Sequence, residues 1–363
     1  MRKARVLIVD DSTVIRRLLS DALAGDSAIE VVGTASNGRI ALARIPQINP
    51  DVVTLDIEMP EMDGLETLKE LRKLYPRLPV IMFSTLTERG AVATLNALAA
   101  GASDYVTKPA NVGSVTAAMQ NVREQLIPRI KGLCPAWAEP RPATRTAPTP
   151  CTRPIAAPKS NQLEIIAIGV STGGPNALTE IFRQLPKDLS VPVVVVQHMP
   201  PVFTRYLAER LNAVSALHVR EATAGELLHA GGAWLAPGGM HLALARAASG
   251  VVTRLHEGPP ENSCRPAVDV LFRSVADIYG PAALGLILTG MGCDGLRGCQ
   301  AIRGAGGRIL IQDEATSIVW GMPGAVHGAG LADEILPLSR IPGGLCSAAA
   351  RTRGVSTLQL QPQ

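Results

Sequence analysis

Three residues far apart in the chain share one setting. Ser171 ends the run IIAIGV inside GVSTGGP, His198 follows VPVVVVQ, and Asp294 closes ALGLILTGMGCDG. A serine in a G-x-S-x-G turn after a strand fits a sharp corner that exposes a nucleophile; a phosphate- or nucleotide-binding turn is the competing reading. The run lacks G-x-G-x-x-G, which weakens the dinucleotide option. A serine hydroxyl needs a base, and His198 alone among the six histidines sits just past a buried strand. His218, His229, His241, His256 and His327 fall in expected loops or helix ends. The third member would be a carboxylate that fixes the imidazole tautomer. Asp294 is preferred to Asp313 of LIQDEATS because Gly290, Gly292 and Gly295 permit close backbone approach. Nothing marks Cys293 as an activated thiol. The order Ser–His–Asp differs from the Ser–Asp–His order of α/β-hydrolases.

A second set lies near the N-terminus. RVLIV runs into Asp10 and Asp11, VVTL into Asp56, VIMF into Ser84, and DYVT into Lys108. On a parallel sheet these side chains converge on one edge. Crowded carboxylates call for a hard divalent cation and an opposing ammonium. The set suits transient phosphorylation of Asp56, with Mg²⁺ offsetting charge and Lys108 and Ser84 gripping the phosphoryl oxygens.

The elements that must position these residues follow from the apolar runs. Strands are expected at 5–9, 31–35, 52–55, 80–83 and 104–106, then at 163–169, 191–197, 234–239, 242–245, 283–289 and 308–312, with amphipathic stretches between. Alternating strands and helices imply α/β domains with parallel sheets, ligands binding beyond the strand carboxyl ends. Prolines 135, 140, 142, 148, 150, 154 and 158 exclude helix and central strand, and mark a spacer. The boundaries read 3–125, linker 126–162, catalytic domain 163–347 and tail 348–363.

Composition narrows the classes. A chain of 363 residues exceeds one ordinary core. A net charge of +4 with 3% aromatics gives no expectation of nucleic-acid binding. No run approaches the roughly 18–20 apolar residues of a membrane span, and the N-terminus lacks a signal-peptide core, so a cytoplasmic protein is expected that is not inserted in a membrane. Six scattered cysteines without a CxxC pair predict neither a zinc site nor a disulfide framework.

The segments RVLIVDD, LDIEMPEMDG and DYVTKP resemble a response-regulator receiver domain of flavodoxin-like fold. That resemblance implies a histidine-kinase phosphodonor, Mg²⁺ held by Asp11, Asp56 and the Glu58 backbone carbonyl with Asp10 in the cluster, and a switch through Ser84 and Tyr105. GVSTGGP, QHMPPVFT, APGGMHL, RPAVDVLFRSVA, LTGMGCDG and QDEATSIVWGMPGAV resemble the catalytic domain of the chemotaxis protein-glutamate methylesterase/glutaminase family. The second resemblance implies chemoreceptor substrates, Ser171 as nucleophile, His198 as base and Asp294 as orienting acid. It also implies the Met291 and Thr172 amides at the oxyanion, and no metal for ester hydrolysis. The rival is a receiver with a non-enzymatic output such as DNA binding. Ala267 stands where serine is expected in RPSVD, and the last residues, RTRGVSTLQLQPQ, lie outside both resemblances.

Overall fold

The computed structural model describes residues 3–109, 114–134 and 162–350. The proline-rich spacer from 135 to 161 and the tail from 351 lie outside the described residues. The chain divides into two compact units, Met1–Ala157 and Pro158–Gln363.

In the first unit, strands β1 (Ala4–Val9), β2 (Ile29–Ala35), β3 (Val52–Asp56), β4 (Val80–Ser84) and β5 (Asp104–Thr107) alternate with helices α1 (Thr13–Ala24), α2 (Gly38–Ile48), α3 (Gly64–Leu74), α4 (Glu88–Ala99) and α5 (Val115–Leu133). The sheet is parallel in the order β2-β1-β3-β4-β5. The strand order reverses between β1 and β3, so a crevice forms beyond the ends that carry Asp10 and Asp56. Helix starts are set locally. Ser12, Asn37, Thr87 and Ser114 each accept a backbone N–H as N-cap, and Asp63 with Glu66 makes a full capping box on α3. Helix α5 runs through Pro128, and Ile130 and Cys134 join the same core as Val6, Ile8 and Phe83.

The second unit carries β6 (Ile165–Val170), α6 (Gly174–Phe182), β7 (Val193–Gln197), α7 (Phe203–Val214), β8 (His218–Glu221), β9 (Gly232–Leu235), β10 (His241–Ala247), β11 (Gly250–His256), α8 (Val268–Tyr279), β12 (Ala283–Ile287), α9 (Leu296–Gly304), β13 (Arg308–Gln312), α10 (Met322–Gly328), β14 (Glu334–Leu336) and α11 (Ile341–Ala350). Seven strands form one parallel sheet, β14-β13-β12-β6-β7-β9-β8. The central β6 and β7 are buried throughout, which is why their sequences are unbroken apolar runs.

Two expectations change. The run at 242–245 belongs to an antiparallel hairpin of β10 and β11 outside the main sheet, and the strand expected at 234–239 stops at Leu235. Strands β8, β11 and β14 had no apolar run to announce them: β8 alternates, β11 has one buried position, Thr253, and β14 is three residues long.

Candidate active site and phosphoacceptor site

Ser171 and His198 follow adjacent parallel strands. Val170 of β6 pairs with Gln197 of β7, so the next residue on each strand emerges on the same rim, about 4.8 Å apart in backbone terms. The other neighbour of β6 is β12, whose loop delivers Asp294. The strand order reverses at β6; His198 and Asp294 meet at that crevice, and Ser171 follows the strand beside them.

The turn after β6 is held by three hydrogen bonds, two with Thr289 and one with Gln197. Ser171 N–H donates to Thr289 O (3.0 Å), the Thr289 hydroxyl donates to Thr172 O (2.9 Å), and Gln197 Nε2 donates to Ser171 O (3.0 Å). Gly173 takes φ +79° at the cap of α6, a conformation open to glycine at no steric cost. At Gly290 a Cβ would lie 2.8 Å from Ser171 Cβ. The glycine therefore lets the β12 loop close over the serine.

Asp294 is buried and accepts five hydrogen bonds. Val268 N–H (2.6 Å) and His198 Nε2 (2.8 Å) donate to Oδ2. Asp269 N–H (3.1 Å), Gly295 N–H (3.0 Å) and Asn262 Nδ2 (2.9 Å) donate to Oδ1. Two of these donors are the first amides of α8, where Ala267 supplies no side-chain cap. The Asp294 carboxylate caps that helix from another loop, and the helix dipole favours its negative charge. Burial alone would push the carboxyl up, but the bonds from His198, Val268 and Asp269 hold it below its usual range.

An ionised carboxylate can only accept, so Nε2 carries a proton, and in the neutral imidazole the lone pair falls on Nδ1. Burial disfavours the imidazolium, yet the hydrogen bonds with Asp294 and Cys264 and the negative charge of Asp294 outweigh it and push the His198 pKa up to about 10. Neutral imidazole, the form that takes a proton, gains population as the pH rises. The Ser171 hydroxyl makes no hydrogen bond among the described residues, and catalytic bonds of this kind commonly tighten when substrate arrives.

The remaining predicted residues fall as follows. The Met291 N–H has no acceptor among the described residues and lies one residue past Gly290, beside the serine. Thr172 is buried under the same turn. The rival Asp313 instead caps its own turn through Thr316 N–H (3.0 Å). Cys293 is exposed. His218, His241 and His256 begin or end strands rather than lying in loops, and the His241 imidazole is spent between Pro259 O (3.0 Å) and Ala267 N–H (3.2 Å).

Asn262, Asp269 and Gln197 were not marked by the sequence. Asn262 Nδ2 bridges Asp294 and Asp269 Oδ2 (3.0 Å), and Asp269 also receives Gly298 N–H (2.7 Å). No spacing pattern announces them; the one available signal was a polar residue closing an apolar run, as at Gln197.

In the first unit Lys108 Nζ lies 2.8 Å from Asp56 Oδ2 and 3.1 Å from Asp10 Oδ2. Burial raises the Asp56 pKa to about 6, with Asp10 adding to the rise and Lys108 opposing it. Burial raises Asp10 as well, against the pull of Lys108. Oxygens of Asp10, Asp11 and Asp56 come within 4.8 Å of one another. Oδ2 of Asp10 and of Asp56 meets only the ammonium, with no hydrogen bond of regular geometry. Hard, buried, under-served oxygens of this kind fit a divalent cation such as Mg²⁺. Glu58 turns its carboxylate outward to Arg89 (3.4 Å). Ser84 is buried and donates to Gly90 O (3.2 Å), and Tyr105 is buried with its pKa raised by burial.

Residues 166–345 match the CheB methylesterase family, and residues 6–120 match the response regulator receiver domain. A protein-glutamate methylesterase/protein-glutamine glutaminase of Trichodesmium erythraeum is 53% identical over 94% of this chain and 97% of its own. One from Nocardioides sp. is 55% identical over 96% of each. The chain belongs to the CheB methylesterase family. The crystal structure of the Thermotoga maritima CheB methylesterase catalytic domain superposes with a TM-score of 0.50 and 42% identity, covering 51% of this chain and 98% of that one. As a family member the chain is an α/β ester hydrolase with a receiver domain ahead of it, and the non-enzymatic output reading falls away. No helix of the described residues is long and apolar enough to cross a membrane.

Proposed function

We propose that the chain hydrolyses glutamate methyl esters and deamidates glutamines on chemoreceptors, and that phosphorylation of Asp56 by a histidine kinase activates it. Ser171 Oγ attacks the ester carbonyl while His198 Nδ1 takes its proton. The oxyanion of the tetrahedral intermediate is met by the Met291 N–H, with Thr172 N–H as second donor. The intermediate collapses, methanol leaves with the proton returned from His198, and water repeats the sequence on the acyl-serine to free the carboxylate. With a glutamine the leaving group is ammonia.

The observation that carries this reading is the 2.8 Å His198–Asp294 bond beside Ser171, built on three neighbouring strands. In the receiver, Asp10, Asp11, Asp56 and the Glu58 carbonyl would hold Mg²⁺, which supplies positive charge to a phosphoryl group on Asp56. Lys108 pairs with that aspartate and offsets its charge, and Ser84 lies at the end of the adjacent strand. The relatives' names support the methylesterase and glutaminase activities; chemoreceptors as substrate and a cytoplasmic location belong to the same proposal.

Methanol release from methylated receptor, with and without acetyl phosphate, is the test. Wild type should release methanol faster with the phosphodonor. Ser171→Ala should fall by a factor on the order of 10⁴ or more; methanol release surviving in Ser171→Ala would remove the serine from the mechanism.

A further inference from the structure

We propose that His198 Nδ1 and Cys264 Sγ form a binding site for a thiophilic divalent cation, zinc foremost, whose occupancy shuts off the esterase. The inhibitory half rests on the proposed esterase mechanism; the binding half does not.

The geometry is that of a chelating pair. Cys264 Sγ lies 3.6 Å from His198 Nδ1. Zinc bonds of about 2.0–2.1 Å to nitrogen and about 2.3 Å to sulfur, opened to a tetrahedral angle, put the two donor atoms about 3.6 Å apart. The outer shell matches too. A metal-bound histidine ordinarily donates its other ring N–H to a carboxylate, and His198 Nε2 does so to Asp294 at 2.8 Å. Asp294 itself has both oxygens occupied by five donors, so its part is to orient the ring and to supply negative charge rather than to ligate.

Cys264 is held in place by its loop. Glu261 and Cys264 exchange backbone hydrogen bonds (3.1 and 2.8 Å), Asn262 and Ser263 between them take φ +51° and +62°, and Sγ rests 3.4 Å from Asn262 O. The thiol is partly exposed, so a hydrated ion can reach it. Coordination would send the thiol proton, and the Nδ1 proton wherever the ring is an imidazolium, to solvent, and water would fill the remaining positions. Because Nδ1 holds the lone pair that takes the Ser171 proton, a cation on Nδ1 and that proton exclude each other. The two sites of this chain also sort cations by softness. Imidazole and thiolate select zinc or copper, whereas the all-oxygen set at Asp10, Asp11 and Asp56 suits magnesium. His198 and Cys264 stand far apart in the chain, which is why cysteine spacing gave no hint of a zinc site.

The test uses the full chain, stripped of metal, with Cys264→Ser and Cys264→Ala as variants and Cys293→Ser as an exposed-thiol control. Cobalt(II) should give a thiolate charge-transfer absorption in the near ultraviolet and the visible bands of a tetrahedral ion. These should appear in wild type and Cys293→Ser, be lost in both Cys264 variants, and be displaced by zinc. Zinc should inhibit methanol release, and a chelator should restore it. The half-inhibitory zinc concentration, measured against each variant's own metal-free rate, should rise roughly 10-fold or more in the Cys264 variants. Excess magnesium should not inhibit. Cobalt spectra or zinc inhibition unchanged in the Cys264 variants would overturn the site, and zinc bound without inhibition would overturn its effect. If wild type hydrolyses no ester at all, the enzymatic reading falls while the cobalt spectrum still decides the metal site.

Discussion

Asp294 is immobilised before it ever meets its histidine. Four donors besides His198 fix the carboxylate, two of them the first amides of α8, so the imidazole docks onto a preset acceptor and its tautomer is decided. Asp294→Asn keeps the size of the side chain but replaces one acceptor with a donor that faces Nε2–H and the Val268 amide. The imidazole must then present the wrong nitrogen, and kcat should fall by a factor on the order of 10⁴ with KM little changed. Steady-state methanol release checks this; a loss of less than roughly tenfold would show that the carboxylate only supports the fold. The sequence placed Ser171, His198 and Asp294 because each closes an apolar run, and an apolar run of that length reports a buried strand whose end is the ligand-binding rim. Asn262 and Cys264 escaped because they sit in a loop without periodicity, and their roles come from a turn at positive φ that only coordinates reveal.

Elements transmit these positions by close packing, and glycine sets how close. Gly169 faces α8, where an added Cβ would lie 2.4 Å from Val268 Cγ1 and 3.0 Å from Ile287 Cδ1. Gly169→Ala should push α8 off β6, costing about 1–3 kcal/mol as overpacking does, and it should lower activity too, because Val268 N–H holds Asp294. A urea midpoint equal to wild type would contradict that packing. In the first unit Asp26 fastens the α1–β2 turn to α5 through Lys131 (2.7 Å) and accepts Ala28 N–H (3.0 Å). Burial works against the charge, but these bonds hold the Asp26 pKa below its unfolded value. Its stabilisation is therefore full above about pH 4 and is lost as the pH falls through the depressed native value. The pair is partly exposed, so Asp26→Asn should cost only about 0.5 kcal/mol at pH 7 and nothing near pH 2; a penalty that grows toward acid would reverse the sign assigned here. Central strands were legible for the reason that makes them central, burial on both faces, whereas β8, β11 and β14 present exposed or very short stretches that periodicity cannot separate from loop.

Two compact units on one chain make regulation a question of coupling. If phosphorylation of Asp56 biases the second unit between less and more active populations, the stimulation by a phosphodonor measures the coupling free energy, and couplings of this kind typically amount to about 5–150-fold. Asp56→Ala should keep the basal rate and lose the whole stimulation. A fragment beginning at Pro158 retains every strand of the seven-stranded sheet, and the Thermotoga maritima catalytic domain was crystallised as such a unit. Freed of the receiver, it should release methanol without acetyl phosphate and ignore its addition. The ratio of its rate to that of the phosphorylated full chain then separates two kinds of control. A fragment at least as fast as the stimulated full chain means the receiver only restrains. A fragment slower than that means the phosphorylated receiver adds something of its own, and a fragment that folds but releases no methanol would show that restraint alone is the wrong description.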